Sequence, residues 1–337
     1  KETYKKAKEI LDSMTEEEKV AQMFIVRCPD TAAKDVALKY QFGGYILFAR
    51  DFKERDKQQM AAAIQEYQDV SKVPMFIGVD EEGGTVNRIS LYKQYREVPF
   101  WSPRDLFDEG GMELIKSDTK EKCRLLSSLG INLNFAPVAD ISSDPADYMY
   151  PRTFGISAEE TCKYVENVVS VMKENGIGSV LKHFPGYGNN SDTHTGIAVD
   201  ERSLKSLREN DFLPFESGIE AGAEVVLVSH NIVRSIDGEH PASLSLQVHN
   251  ILRDEIGFSG LIITDDLYMD AIREYTHGQE AAVMAVLAGN DLLCCSDYQT
   301  QYPAVVQALK DGKISENRVD ESVMRILQYK ISMGLMN

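Results

Sequence analysis

The sequence lacks any run of apolar residues approaching the roughly 20 that a membrane-crossing helix requires. It has no C-x-x-C pair, and its five cysteines, Cys28, Cys123, Cys162, Cys294 and Cys295, are an odd number. Neither a disulfide framework nor a zinc site is indicated, and the cysteines read as small apolar core residues. Positive charge is scarce: 36 Lys and Arg stand against 53 Asp and Glu, a net charge of -17. Such a chain is repelled by phosphate backbones and anionic lipid, so no nucleic-acid or peripheral membrane partner is expected. A G-x-G-x-x-G turn after the first apolar run is also missing, which argues against an open dinucleotide-binding sheet.

What is present is an ordinary globular balance, 43% apolar and 26% charged, enough for a large core. The length of 337 residues fits one (β/α)8 barrel with long loops, a fold that takes about 250 residues and extends past 400 with insertions. The chain begins at Lys1 rather than Met, which points to a missing N-terminal piece and favours an extracytoplasmic over a cytoplasmic location. A monomer is expected.

Runs rich in Val, Ile, Leu and Phe at 20–28, 43–48, 74–80, 131–140, 178–185, 224–231, 260–266 and 290–296 read as buried parallel strands. Polar, periodic stretches of helical length lie between them, at 53–71, 114–129, 157–176, 203–221 and 270–288, with a last helix at 317–333. Thr15 before three glutamates is a capping pattern for the first helix. Eight strands alternating with helices predict a closed parallel barrel, a single domain over 1–337, rather than an open sheet.

In such a barrel the active site forms at the C-terminal strand ends. Here those ends carry Asp80, Asp140, His183, His230, Asn231, Asp265 and Asp266. A ring of polar groups around one mouth is hard to explain by solvation, because carboxylates held close repel each other. For Asp140 and His230, binding backbone or orienting loops is an equally good reading.

Three segments could carry chemistry. The first runs from Lys182-His183-Phe184-Pro185-Gly186 to Asp192-Thr193-His194. Asp192 and His194 are two apart and face the same way in an extended loop. A carboxylate beside an imidazole fixes its tautomer and raises its basicity, which makes a proton shuttle or simply a loop held by one hydrogen bond. The second is Thr264-Asp265-Asp266. A strand-end carboxylate can attack an anomeric carbon from one face while an acid protonates the leaving oxygen from the other. Capping of the following helix suits Asp266 or Asp270 better. The third is Asp80-Glu81-Glu82-Gly83-Gly84-Thr85-Val86-Asn87-Arg88, where Asp80 and Arg88 could grip sugar hydroxyls through charge-assisted hydrogen bonds. Arg152, in Tyr150-Pro151-Arg152-Thr153-Phe154-Gly155, is a fourth candidate.

Together with Asn134-Phe135-Ala136-Pro137-Val138-Ala139-Asp140 and Ala288-Gly289-Asn290-Asp291, these segments resemble glycoside hydrolase family 3, specifically its β-N-acetylglucosaminidase branch. The resemblance runs over nearly the whole chain, and Lys182-His183-Phe184-Pro185-Gly186 followed by Asp192-Thr193-His194 is specific to that branch. It implies Asp265 as nucleophile, His194 as general acid/base and Asp192 as the group that orients and tunes it. It implies that Asp80, Arg88, Arg152, Lys182 and His183 bind the first sugar. It also implies a carbohydrate substrate, peptidoglycan fragments or chitin-like oligosaccharides ending in N-acetylglucosamine, with no metal or organic cofactor. The chain departs from the branch at Glu81, where Gln is usual, and at Thr85, where Arg is usual. It departs again at Tyr187, where His is common, in a loop about one residue shorter. These changes bear on aglycone preference. Because a neutral imidazole does not repel an anion, inorganic phosphate could replace water as acceptor. The alternatives are a family-3 hydrolase of other sugar preference, β-glucosidase-like, and a carbohydrate-binding pseudoenzyme, which would be expected to lose Asp265 or His194.

Overall fold

The structure, a computed structural model, describes residues 1–277 and 280–336. It is an α/β fold of parallel sheets wrapped by helices. The strands are β1 Phe24–Arg27, β2 Gly44–Leu47, β3 Phe76–Val79, β4 Leu133–Asn134, β5 Gly178–Ser179, β6 Leu181–Phe184, β7 Val199–Asp200, β8 Val225–Val228, β9 Ile232–Val233, β10 Leu261–Thr264 and β11 Leu293–Cys295. One sheet has the order β11-β1-β2-β3-β4-β5, a second β10-β8-β6, and β7 pairs with β9. Two isolated parallel bridges lie outside these ladders: Val138, past the end of β4, pairs with Lys182 of β6, and Ile263 of β10 pairs with Leu292, just before β11.

Each predicted apolar run contains a strand, because a run buried on both faces has nowhere else to satisfy its backbone. The boundaries differ for local reasons. The run 20–28 yields strand only from Phe24, since Thr15 accepts the Glu18 N–H in a capping box and commits Glu16–Gln22 to a helix. In 131–140 the ladder stops after Asn134, and Pro137 has no N–H to extend it. The run 178–185 changes partner at Val180: β5 pairs with β4, while β6 pairs with β8.

Among the helices, the stretch predicted at 53–71 is two, Ala49–Lys53 and Lys57–Asp69, the second begun by a capping box at Asp56. The stretch 270–288 is likewise two helices, Asp270–Thr276 and Ala281–Ala288. Positions 278 and 279 of that expectation, and 337 of the predicted domain, lie outside the described residues. The helix expected from 114 starts earlier, at Pro103, with a break at Gly110 and Gly111. The strands' side chains, among them Phe24, Tyr45, Phe76, Leu181, Val226 and Ile263, form the centre of one large core shared with the helices.

Candidate active site

The C-terminal strand ends open into a cleft of about 790 Å³. Asp80, Arg88, Arg152, Lys182, His183, His194 and Asp265 all line it, so the structure brings together every residue to which the resemblance gave a role except Asp192, which stands directly behind His194, whereas Asp140, His230 and Asn231 from the ring of strand ends do not line it.

One wall is a buried charge network. Lys182, from β6, places its Nζ 2.7 Å from Asp80 Oδ1 and 2.7 Å from Glu82 Oε1. Arg152, on a 3-10 turn after β4, grips the same Glu82 carboxylate through Nη2 at 2.7 Å and Nε at 3.1 Å. Burial alone would raise the Glu82 carboxyl, but Arg152 and Lys182 outweigh it and hold it well below the usual carboxylate range. Burial works against the charged Lys182 as well, and Asp80 and Glu82 reverse that and raise it. Glu82 and Lys182 are therefore both charged at neutral pH, with the donors around the carboxylate fixed in place.

His183 hydrogen-bonds through Nδ1 to Asp140 Oδ2 at 2.7 Å. The fully buried Asp140 also accepts the backbone N–H of His183 at 3.1 Å and of Tyr187 at 2.6 Å. Asp140 is thus the orienting group that one of its two readings allowed, and its bond sets the His183 tautomer.

The loop after β6 turns at Gly186, where φ is +117° and a Cβ would come within 2.6 Å of Asp211 Oδ1. Arg202 straps the base of this loop, donating to Gly186 O at 2.8 Å while paired with Asp200 and Asp211. Further along, the Tyr187 hydroxyl accepts the Thr193 N–H at 2.9 Å and donates to Ser191 O at 3.1 Å. Next to this anchored Thr193, Asp192 Oδ1 receives the His194 backbone N–H at 2.9 Å and contacts Nδ1 at 2.7 Å. With Nδ1–H donated to the carboxylate, Nε2 is left as the free proton-transfer atom. The His194 side chain is 59% exposed, at the rim of the cleft.

Asp265 follows β10. Its Oδ1 accepts the Asp266 N–H at 2.9 Å. Burial pushes its carboxyl up, but His230, His183 and His194 around it pull it below the usual value, so it stands as a carboxylate. Asp266 points elsewhere. It accepts from Ser296 Oγ, from the Ser296 N–H at 3.2 Å and from the Tyr268 N–H at 2.9 Å, tying two loops together. The helix cap considered for Asp266 or Asp270 does not form, since Met269 is the N-cap and no side chain caps the helix. His230 contacts Asp266 O through Nε2 at 2.8 Å and Ser243 Oγ through Nδ1 at 2.7 Å. Burial lowers its pKa, and the Asp265 carboxylate beside it opposes that shift. Among the described residues no His, Cys, Asp or Glu side chains cluster as a metal site.

A family model, the glycosyl hydrolase family 3 N-terminal domain, matches residues 15–329. The chain belongs to glycosyl hydrolase family 3. It is 31% identical to the β-hexosaminidase LpqI of Mycobacterium tuberculosis over 93% of this chain and 82% of that protein. It is 30% identical to a β-hexosaminidase of Psychromonas ingrahamii over 80% of each chain. A solved family-3 β-N-acetylglucosaminidase from Paenibacillus sp. FPU-7 superposes with a TM-score of 0.88 at 30% identity, covering 96% of this chain and 63% of that one. The solved M. tuberculosis LpqI superposes with a TM-score of 0.85 at 28% identity, over 95% of each chain. This family-3 chain therefore spans most of the curated relatives' length and under two thirds of the Paenibacillus chain.

Two of its departures now have structural accounts. Glu81 does not reach the cleft. It is buried, and its carboxylate accepts the N–H groups of Arg88, Ile89 and Ser90 at 2.8, 2.9 and 3.0 Å. The expectation that it alters the site beyond the first sugar is corrected, because a carboxylate here fastens the Arg88 loop. Thr85 does line the cleft. Sequence reasoning missed Glu82 as the node between Lys182 and Arg152. It also missed Arg27, whose guanidinium lies 4.4 Å from the Phe48 ring centroid on the cleft wall. A charge ending the first apolar run was a readable signal for Arg27.

Proposed function

We propose that this family-3 chain is a retaining β-N-acetylglucosaminidase acting on non-reducing ends, with the eight-strand alternation closed into a (β/α)8 barrel that forms a single domain. The two bridges between the sheets support closure. The observation that carries the function is that the Asp265 carboxylate and His194, backed by Asp192, line one cleft with the Lys182–Glu82–Arg152 network.

On this reading Asp80, Arg88, Arg152, Lys182 and His183 bind the hydroxyls of the first sugar. An Asp265 oxygen attacks the anomeric carbon as the bond to the leaving oxygen breaks, and His194 Nε2–H supplies that oxygen's proton. Asp192 stabilises the imidazolium before the transfer. Water then attacks the glycosyl-enzyme, His194 takes its proton, and Asp265 departs, so two inversions leave the configuration unchanged. The similarity to named β-hexosaminidases and to a β-N-acetylglucosaminidase supports the sugar, and peptidoglycan fragments or chitin-like oligosaccharides are the substrates proposed.

A panel of chromogenic aryl glycosides tests the reading, with proton NMR of the first-formed sugar. The expected result is the highest kcat/KM on the β-N-acetylglucosaminide and an initial β-product. A higher kcat/KM on the matching glucoside would overturn the sugar assignment, and an initial α-product would overturn the double displacement.

A further inference from the structure

The turn between β10 and the helix Asp270–Thr276 presents Tyr268, to which no role has been given. A single exposed aromatic on an outer surface needs no explanation, but this one stands in the cleft that holds Asp265 and His194. The Arg273 guanidinium, from the following helix, lies over the ring, 4.5 Å from its centroid. The residue is nevertheless 49% exposed, so the ring is braced on one face and open on the other. Its backbone is fixed as well. The Tyr268 N–H donates to Asp266 Oδ1 at 2.9 Å, and the Ser296 N–H holds the same oxygen at 3.2 Å.

The place of Tyr268 relative to His194 decides which part of a substrate it meets. The Ala271 N–H donates to Thr193 O at 3.2 Å, so the first turn of the helix after Tyr268 is tied to the residue before His194. Further along the same loop, a Cβ on Gly196 would come within 3.6 Å of Glu274 Oε2. The helix and the His194 loop therefore lie against each other on one side of the cleft. A general acid must sit within hydrogen-bond reach of the oxygen it protonates, so the leaving group departs on that side. There it meets Tyr268.

We propose that Tyr268 is the platform of the aglycone subsite and a specificity-determining residue, its open face stacking on a leaving group that is itself a pyranose ring. The proposal rests on the reading of His194 as the acid/base. A pyranose whose hydroxyls are all equatorial carries only axial C–H groups on its two faces. Those faces are apolar and weakly positive, whereas the face of a tyrosine ring is weakly negative. Stacking therefore combines apolar burial with complementary charge. It also leaves the equatorial hydroxyls at the sugar's edge, free to bond Arg273 and Asp270, which line the same cleft. A small aglycone has no such face to offer, and an axial hydroxyl would hold the two rings apart.

The test compares Tyr268→Ala and Tyr268→Phe on two substrates, the β-linked disaccharide of N-acetylglucosamine and its methyl β-glycoside. Tyr268→Ala is expected to lower kcat/KM about tenfold for the disaccharide, the size of one ring lost from a stacking platform, and to leave the methyl glycoside within about twofold. Tyr268→Phe, which keeps the ring, should stay within about twofold on both. Equal slowing of both substrates by Tyr268→Ala, or no slowing of the disaccharide, overturns the proposal. A loss in Tyr268→Phe as large as in Tyr268→Ala assigns the effect to the hydroxyl and overturns it too. Calorimetry in an Asp265→Asn background reads binding without turnover. There the disaccharide should bind about tenfold tighter than N-acetylglucosamine, and Tyr268→Ala should erase the difference; equal affinities with Tyr268 in place overturn the proposal. If the wild type cleaves glucosides instead, the sugar reading falls, while the same comparison of cellobiose with methyl β-glucoside still decides Tyr268.

Discussion

Replacing Glu82 by Gln keeps the shape and removes the charge on which the proposed sugar-binding wall converges. The native carboxylate makes three contacts with two cations, at 2.7 and 3.1 Å to Arg152 and 2.7 Å to Lys182. Both cations meet at Oε1, so an amide that keeps its oxygen there retains one contact to each, while its NH2 opposes Arg152 Nε at the Oε2 position and the negative charge that pairs with both cations is gone. Removing one partner from a buried pair costs about 3–5 kcal/mol, which in a chain of this size is a fall in Tm of about 4–7 °C. The loss of one charge-assisted contact to the sugar, about 1.5–3 kcal/mol, corresponds to a drop in kcat/KM of about tenfold to somewhat over a hundredfold. Aryl N-acetylglucosaminide kinetics and calorimetry read both. The sign of the pH dependence follows from the shifts. The Glu82 carboxyl is held below its ordinary 4.5, so its contribution is present above that value and lost as pH falls further. Lys182 is raised above its ordinary 10.5, so its share is present below that value and lost above its folded pKa. Wild type minus Glu82→Gln should therefore give a flat stability difference across neutral pH that shrinks in acid. A variant with normal Tm and kcat/KM within twofold would refute the reasoning.

His194→Ala should slow poor leaving groups by about 10²–10⁴ while sparing a dinitrophenyl glycoside's first step, with a phenolate burst and acceleration by azide. Equal slowing of all substrates, with no burst, would remove His194 from proton transfer. Lys330 is buried against Gln22 Oε1 and Gly43 O, and burial lowers its pKa to about 7. Because the unfolded chain binds that proton up to about 10.5, wild-type stability should rise from pH 7 towards 10 relative to Lys330→Met; parallel curves for the two would contradict this. Arg27→Gln should raise KM for the aryl N-acetylglucosaminide by about tenfold, as expected for one charge-assisted contact, and unchanged kinetics would take Arg27 out of the substrate's reach. Dialysis against a chelator should leave activity intact; loss restored by one specific metal would refute the cofactor-free scheme.

The strands were legible because a strand buried on both faces must be written as a continuous apolar run, and each of the eight runs holds one. Their ends were not, since a capping box at Thr15 commits the start of the first run to a helix through Gln22, and Pro137, which has no N–H, interrupts the fourth. The strand-end residues that line the cleft were legible for the same reason: Asp80, Lys182, His183 and Asp265 break apolar runs. Glu82 was hidden because its meaning lies in partners 70 and 100 positions away, Arg152 and Lys182. Glu81 misled because a carboxylate that fastens three backbone N–H groups looks in sequence like one that faces substrate.

The two groups proposed for the chemistry are mounted differently. Asp265 is fixed to a strand end among three histidines, whereas His194 stands on a loop with 59% of its side chain in solvent. The second half-reaction is therefore open to whatever hydroxyl reaches the imidazole. At low product concentration that hydroxyl is water's. At high concentration a sugar alcohol competes, and the glycosyl unit passes to it with the same configuration. The partition between cleavage and synthesis is then set at the rim of the cleft, so substitutions in the loops should change it without disturbing the carboxylate beneath.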